Sequence, residues 1–552
     1  MSHDRSSLGS AAQFPPAQKG AGVLKRFAYT SIAAALCLGS AAAMAATDFK
    51  DVGMAKDVNG RSLLEFVSSE CGGCHNPKRT GATGPNITMK RLREGNPNAK
   101  DRFKYPIDEE TIYYTVKNGR PGTSMPAWGS NTNPIGKPLS DEQIKAIAHY
   151  IYNNAAPKRF TWTMDQMKAS AKVMVKHPGA VKVKNTDDLV LVTEREHFSV
   201  AVVDTKKLDI LAHLPAGARA HGYTFSNDGN YAYNLGRDGW LYKYNLHTLQ
   251  AERKIRLGLD ARGIAISDDD KYVLTGMYIP TQAVIVDAKT LEPLKIFDTH
   301  HLKNPDGEYV DSRICSVNDV SPKKVGPYFL MALKEAGQVW RINYGKSGFP
   351  VKKVSNVGEI LHDGFLRPDN KVFFLASQSS NHVAAIDVPN MKVLAKIKTG
   401  TKPHPGEGAI WESGGTEYAA TPHIGEGKVT VWDTHTFKIV GNIPTDAPGL
   451  FIRTNKHMKY VWADSVFPPK PSEMTVFEKN PPFKVVKRIN DGTQTLHAEP
   501  DADGNHVFVS DWREGVVRVY DDESLKLVKT IKGFTTPTGI FSVARRHETE
   551  GH

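Results

Sequence analysis

Two thiols and an imidazole fall within one helical turn at Cys71-Gly72-Gly73-Cys74-His75. Thiols at this spacing can add to the vinyl groups of a haem while the adjacent histidine becomes an axial iron ligand, the attachment chemistry of a c-type haem. A redox dithiol is the bland reading of the same letters. Two downstream segments favour the haem. Pro85, in Gly84-Pro85-Asn86 ten residues after His75, offers a carbonyl that can orient the ligand imidazole. Met125, in Ser124-Met125-Pro126-Ala127-Trp128-Gly129, offers a thioether as second axial ligand, a pairing that raises the reduction potential; ordinary core packing is its other reading.

A second set of candidates shares a position rather than a motif. His221 lies seven residues before Asp228, His362 seven before Asp369 and His497 six before Asp503. Each aspartate belongs to a turn signal: Ser226-Asn227-Asp228-Gly229, Arg367-Pro368-Asp369-Asn370 and Asp501-Ala502-Asp503-Gly504, with Ser267-Asp268-Asp269-Asp270 as a fourth. His404, in Lys402-Pro403-His404-Pro405-Gly406, falls slightly earlier, on a connecting loop. Histidines at one phase of a closed repeat converge on its axis, where they could hold a metal, ligate a haem iron or donate protons. Arg237, in Gly236-Arg237-Asp238-Gly239, and Arg262, in Asp260-Ala261-Arg262-Gly263, are cations placed to meet the carboxylates of a tetrapyrrole. Satisfied polar histidines and loop salt bridges are the plain alternatives. His301, His457 and His506 fall off this phase and are expected at the surface or in packing.

The elements that must position these residues are of two kinds. Residues 108–117 and 141–153 are apolar-periodic with acidic starts, as helix N-termini prefer, and place the first motif in a small helical unit. Farther on, an apolar segment ending in Asp, Asn or Glu and followed by a turn recurs eight times. It ends at Asp204, Asn245, Asp287, Asn343, Asp387, Asp433, Glu478 and Asp521, at intervals of 41, 42, 56, 44, 46, 45 and 43 residues. A period near 40–45 residues with about four strands per unit is that of a β-propeller blade. The expected fold is thus an N-terminal all-α cytochrome c domain, 47–157, a basic linker, 158–190, and an all-β eight-bladed propeller, 191–552. Seven blades with a decorating hairpin is the runner-up.

Residues 1–46 read as a secretory leader: Lys25-Arg26, an apolar run over 27–38 too short to span a membrane, then Ala43-Met44-Ala45. Bulky Leu36 argues against lipid attachment at Cys37, and the polar stretch 1–20 points to a later start, at Val23 or Leu24. The mature chain is expected in the periplasm and not in the membrane. Cys315 has no partner left once Cys71 and Cys74 carry a haem, so no disulfide framework is expected. The net charge of +12 is spread without a Lys/Arg block, which argues against nucleic acid and for a basic funnel serving an anionic cofactor and substrate.

Together these segments resemble cytochrome cd1: a c-type haem domain followed by an eight-bladed propeller that carries haem d1. The resemblance covers nearly the whole mature chain and rests on the C-x-x-C-H run, Met125-Pro126-x-Trp128-Gly129, Ala220-His221, Gly236-Arg237-Asp238-Gly239, Ala261-Arg262, Leu361-His362-Asp363-Gly364, Pro403-His404-Pro405-Gly406 and Thr536-Pro537-Thr538-Gly539. It implies covalent haem c on Cys71, Cys74, His75 and Met125, non-covalent haem d1 with His221 as proximal ligand, and His362 and His404 as a distal pair. The implied reaction is one-electron reduction of nitrite to nitric oxide, with a small periplasmic cytochrome c or cupredoxin as donor and two protons delivered by the partly protonated distal pair. Homodimers are common among such reductases, so a homodimer is an expectation of the resemblance alone.

Two residues depart from that pattern. The reductases usually carry Arg two residues after the Pro of the H-P-G motif, where this chain has Glu407. His497, in Leu496-His497-Ala498-Glu499-Pro500, resembles relatives that work in d1 biosynthesis. One such relative also has a haem c domain and desaturates a propionate side chain of dihydro-haem d1. In that alternative His497 is the base, haem c accepts the electrons, and d1 is product rather than cofactor. A non-catalytic d1 carrier is a third reading, which the distal pair argues against.

Overall fold

The structure is a computed structural model that describes residues 62–546 except 82–83, 98–104, 121–124, 131–137 and 196. The leader and Ser124 lie outside the described residues.

The helical unit starts at Leu63–Phe66, capped reciprocally by Ser62 and Glu65, widens into the π-type turn Val67–Cys71 and continues as Gly72–His75. Met89–Glu94, Glu109–Asn118 and Asp141–Asn153 follow, with Thr88, Asp108 and Ser140 accepting the first free N–H groups. Ile144, Ile147, Ala148 and Ile151 form one apolar stripe that closes on Phe66, Val67, Leu92, Ile112 and Trp128. Buried Arg79 ties this unit together by donating to the carbonyls of Ile151 (2.9 Å) and Asn154 at the end of the last helix.

The β portion is eight four-stranded antiparallel meanders, one of them extended by a fifth strand, and a separate two-stranded hairpin. The innermost strands are Ala220–Phe225, Asp260–Ile266, Ile314–Val320, Leu361–Leu366, Ala409–Ser413, Ile452–Arg453, Thr495–Pro500 and Pro537–Ser542, in blades one to eight. Blade eight closes the ring: Pro537–Ser542 pairs with Leu189–Glu194, the first strand of the propeller. Pairing the two ends of the chain leaves no open edge at the seam.

The repeat read in the sequence has a local cause. The terminal Asp or Asn of each third strand folds back on its own turn: Asp204, Asp287, Asp387, Asp433 and Asp521 accept N–H groups two or three residues on, at 2.7–2.9 Å. The 56-residue interval is the one that contains the hairpin Leu302–Lys303 with Tyr309–Val310, so eight blades and a hairpin coexist. The linker is not structureless. It forms the helix Met164–Ser170, seated through buried Met167, and the strand Lys172–Val173, which adds to the outer edge of blade one opposite Arg253 and Lys254.

Candidate functional site

His75 Nδ1–H donates to the Pro85 carbonyl at 2.7 Å, which leaves Nε2 as the coordinating atom. Gly84 lies flat against the ring: a Cβ there would sit 2.9 Å from His75 Cε1. Burial holds the imidazole below its usual range, so the neutral ligand form is favoured. Cys71 and Cys74 stand on the same turn, and half-buried Met125 packs against the helical core. These residues fit a covalent haem c.

In the propeller, the shared phase of the histidines turns out to be the phase of a β-bulge. The register between first and second strands breaks across His221 in blade one, across Ala261–Ile264 around Arg262 in blade two, across Cys315 in blade three, across His362-Asp363 in blade four and across His497 in blade seven. A bulge re-aims a side chain that regular pleating would bury between blades. The tightest case is His497, whose φ of 59° is left-handed, a costly conformation for a non-glycine residue.

His362 and His404 meet, with ring centroids 4.6 Å apart, around the carboxylate of Asp363. Asp363 Oδ1 is 2.9 Å from His362 Nδ1 and accepts from Arg262 Nη2 at 3.0 Å, while Oδ2 is 3.3 Å from His404 Nε2. The other nitrogen of His404 faces the Leu450 carbonyl at 2.9 Å. Burial pushes both imidazoles down, well down for His362, and the nearby Asp363 only partly offsets it. Both shifts run toward the neutral imidazole, against the partly protonated form expected from the sequence. His221, half-buried at the start of its strand, sits three blades from His362. Arg237 pairs with Asp260 (2.9 Å) and lies over the Tyr278 ring, which Arg313 approaches from another side. Arg262 Nε is buried without a hydrogen-bond partner, a donor left over for an anionic group. A cavity of about 630 Å³ connects the loop after His75, through Asn76 and Lys78, with Tyr278 and Arg313.

A third cluster surrounds His497, which is fully buried. Its Nδ1 accepts the Ile540 N–H at 2.5 Å and its Nε2 is 2.7 Å from Arg453 Nη2. Arg453, also fully buried, binds Glu407 Oε2 at 2.7 Å and Glu499 Oε2 at 3.0 Å, and Arg545 holds Glu499 at 3.0 Å. Burial raises the Glu407 carboxyl against the pull of Arg453. Asp464 accepts the N–H groups of Leu450, Phe451 and His497 at 2.7–3.1 Å, and burial still pushes it up to about 6. A row of rings runs from His404 through Phe451 and His497 to Phe541, with centroids 4.5–5.9 Å apart. Three ligand-type side chains converge both here and at the distal pair, but Arg453 in one and Arg262 in the other bring a guanidinium where a bare cation would sit.

Sequence reasoning named His497 and Glu407 but did not bring them together, and it missed Arg453 and the roles of Glu499 and Asp363. Glu499 was recoverable as the same-face neighbour two residues on, and Asp363 as the neighbour of His362. Arg453 carried no signal, because its inner strand is two residues long and has no turn motif before it.

The class is thus a c-type cytochrome unit joined to an eight-bladed propeller whose innermost strands carry bulges at His221, His362 and His497. The family model "Cytochrome D1 heme domain" matches residues 184–546, and "Cytochrome C oxidase, cbb3-type, subunit III" matches residues 59–151. The chain is 28% identical over 486 residues to the dihydro-heme d1 dehydrogenase of Pseudomonas aeruginosa, covering 86% of this chain and 92% of that one. It is 27% identical over 527 residues to the nitrite reductase of Stutzerimonas stutzeri, covering 87% and 91%. The solved structure "Dihydro-heme d1 dehydrogenase NirN in complex with DHE" superposes with a TM-score of 0.68 at 27% identity, over 87% of this chain and 98% of that one. This chain belongs to the cytochrome cd1 family. Its cytochrome domain implies covalent haem c, and its propeller implies binding of haem d1. Among the described residues no helix is long and apolar enough to cross a membrane.

Proposed function

We propose that this protein is a periplasmic dihydro-haem d1 dehydrogenase: it desaturates a propionate side chain of a d1-type macrocycle and passes the electrons to haem c. The carrying observation is His497, aimed by a bulge and set among Glu407, Arg453, Glu499 and Arg545. In the reaction CH2–CH2 becomes CH=CH; two C–H bonds break, and two protons and two electrons leave. Haem c accepts one electron at a time, so a small cytochrome c or cupredoxin would reoxidise it between steps. His497 would take a proton at Nε2 as its Nδ1–H tautomer, which requires Arg453 to turn from Nε2 and Nδ1 to give up the Ile540 N–H. A substrate carboxylate could draw Arg453 away only by exchanging for Glu407 or Glu499 as a bidentate partner of the guanidinium. Similarity to a dehydrogenase over 92% of that relative supports this reading.

The nitrite-reducing alternative is favoured by one observation, the His362–His404 pair on a shared carboxylate. Weighing against it is the burial that shifts both imidazoles toward the neutral form. An anaerobic experiment separates the two. Dihydro-haem d1 added to the haem c-loaded protein should reduce haem c, at least a hundredfold more slowly in His497→Ala. Sustained nitric oxide formation from nitrite by the reduced, d1-loaded protein, lost in His362→Ala and kept in His497→Ala, would overturn the proposal.

A further inference from the structure

The haem c helix and the His221 strand are joined by a buried ion pair. Glu70, the residue before Cys71, has a fully buried side chain and meets Arg219 Nη1 at 2.8 Å; Arg219 stands two residues before His221. The contact is costly to make on both sides. Glu70 lies in the π-type turn Val67–Cys71, an uncommon geometry that concentrates at functional sites. Arg219 holds a left-handed φ of 48°. Beyond Arg219 the charges continue to alternate: Asp260 feels both Arg219 and Glu70 and binds Arg237 at 2.9 Å. Two other pairs cross between the units, Glu65–Arg256 at 3.2 Å and Lys78–Asp311 at 2.5 Å, but their side chains are partly exposed and more easily screened.

We propose that Glu70 and Arg219 form a latch that seats the cytochrome unit on the propeller and balances the charge beside haem c, so that docking and the haem c potential are set by the same pair. The latch does not depend on the reaction proposed above, because it acts whichever way electrons pass. Both residues are positioning residues. A buried carboxylate near the haem favours the ferric form, and a buried guanidinium opposes it.

The test uses the full chain loaded with haem c and without d1. Glu70→Gln keeps the side-chain size and removes the negative charge that faces Arg219. The equilibrium constant for haem c reduction by mediators should rise about tenfold, or about 59 mV for one electron. Trypsin cleavage at exposed Lys158 and Arg159, in the segment between the two units, should quicken at least tenfold. Arg219→Gln should shift the potential the opposite way. Glu70→Gln with Arg219→Gln should return the reduction constant to within twofold of the wild type while cleavage stays fast. The latch is overturned if Glu70→Gln changes neither readout by more than twofold, or if both single variants shift the potential in one direction. Should Glu70→Gln fail to take up haem, Arg219→Lys decides: it keeps the charge, so an unchanged cleavage rate overturns the latch and faster cleavage at constant potential supports it. Neither readout involves substrate, so failure here is distinct from failure of the dehydrogenase reading.

Discussion

Replacing Arg453 with methionine should strand a charge in the middle of the propeller. Arg453 is fully buried and serves Glu407 at 2.7 Å and Glu499 at 3.0 Å. Arg545 still holds Glu499 at 3.0 Å, but it is 3.8 Å from Glu407, too far for a hydrogen bond. One carboxylate, not two, therefore loses its hydrogen-bonded cation, and Arg545 remains to it only as the longer contact. Removing one partner of a buried pair costs about 3–5 kcal/mol, which is roughly a hundred- to several-thousandfold in the unfolding equilibrium. The loss should depend on pH. Burial already raises Glu407, and without Arg453 its carboxyl rises further. A carboxyl with a raised folded pKa binds a proton in the folded state before it does so in the unfolded one. Stability then falls as pH rises from the unfolded value toward the folded one, and the deficit is fully present above the latter. Guanidinium unfolding followed by tryptophan fluorescence, with the haem c Soret band reporting the cytochrome unit separately, should show the deficit at pH 8 and its recovery toward pH 5. Glu407→Gln combined with Arg453→Met should restore most of it. A loss below about 1 kcal/mol, a pH-independent loss, or no rescue by Glu407→Gln would refute the reasoning.

Gly84→Ala should displace the ligand imidazole, since its Cβ would lie 2.9 Å from His75 Cε1; redox titration should find an altered haem c potential, and added imidazole should exchange onto the iron more readily. Arg79→Lys should lower the stability of the cytochrome unit by about 1.5–3 kcal/mol, because an ammonium cannot bridge the two carbonyls that the guanidinium joins; Soret-monitored unfolding reads this. Burial depresses His362 and His404, so the unfolded state takes up protons first as pH falls below about 6.5. Each should cost the fold about 1.4 kcal/mol per pH unit until its own folded pKa is reached, and His362→Gln should flatten that acid limb in unfolding curves measured between pH 7 and 5.

The sequence was most legible where structure is local. The C-x-x-C-H turn, the Pro85 carbonyl and the Asp-capped turns all act within about ten residues, and each appears where its spacing places it. The phase of the histidines was also visible, although the bulge that explains it was not, because a bulge exists only relative to a partner strand. The elements within the linker were not legible, for the opposite reason. Its strand is two exposed residues, and what stabilises them is the open edge of blade one, some 80 residues away. The partners of His497 come from four segments between positions 407 and 545, a convergence that ring closure alone creates.

Glu407 shows how a visible departure acquires meaning only with its neighbour. Read alone, an acidic residue beside the H-P-G motif reverses a charge near the cofactor. In the fold its charge is spent on Arg453, so the cluster holds two carboxylates against two guanidiniums, with Asp464 near half-protonation at about 6. Such a near-neutral cluster has little pull on a small anion such as nitrite, but it can accommodate an imidazole that gains a positive charge when it accepts a proton. Restoring a cation at this position makes the point testable. Glu407→Arg would set a second guanidinium against Arg453 and should lower soluble yield sharply, whereas Glu407→Arg with Arg453→Glu restores that pair while setting a carboxylate against Glu499, and should recover it in part. The exchanged protein should have lost haem c reduction by dihydro-haem d1, because Nε2 of His497 then faces a carboxylate instead of the cation that a substrate must draw away. Full recovery of both yield and haem c reduction would show that the identity of residue 453 does not matter to His497, and the role given to Arg453 would fall.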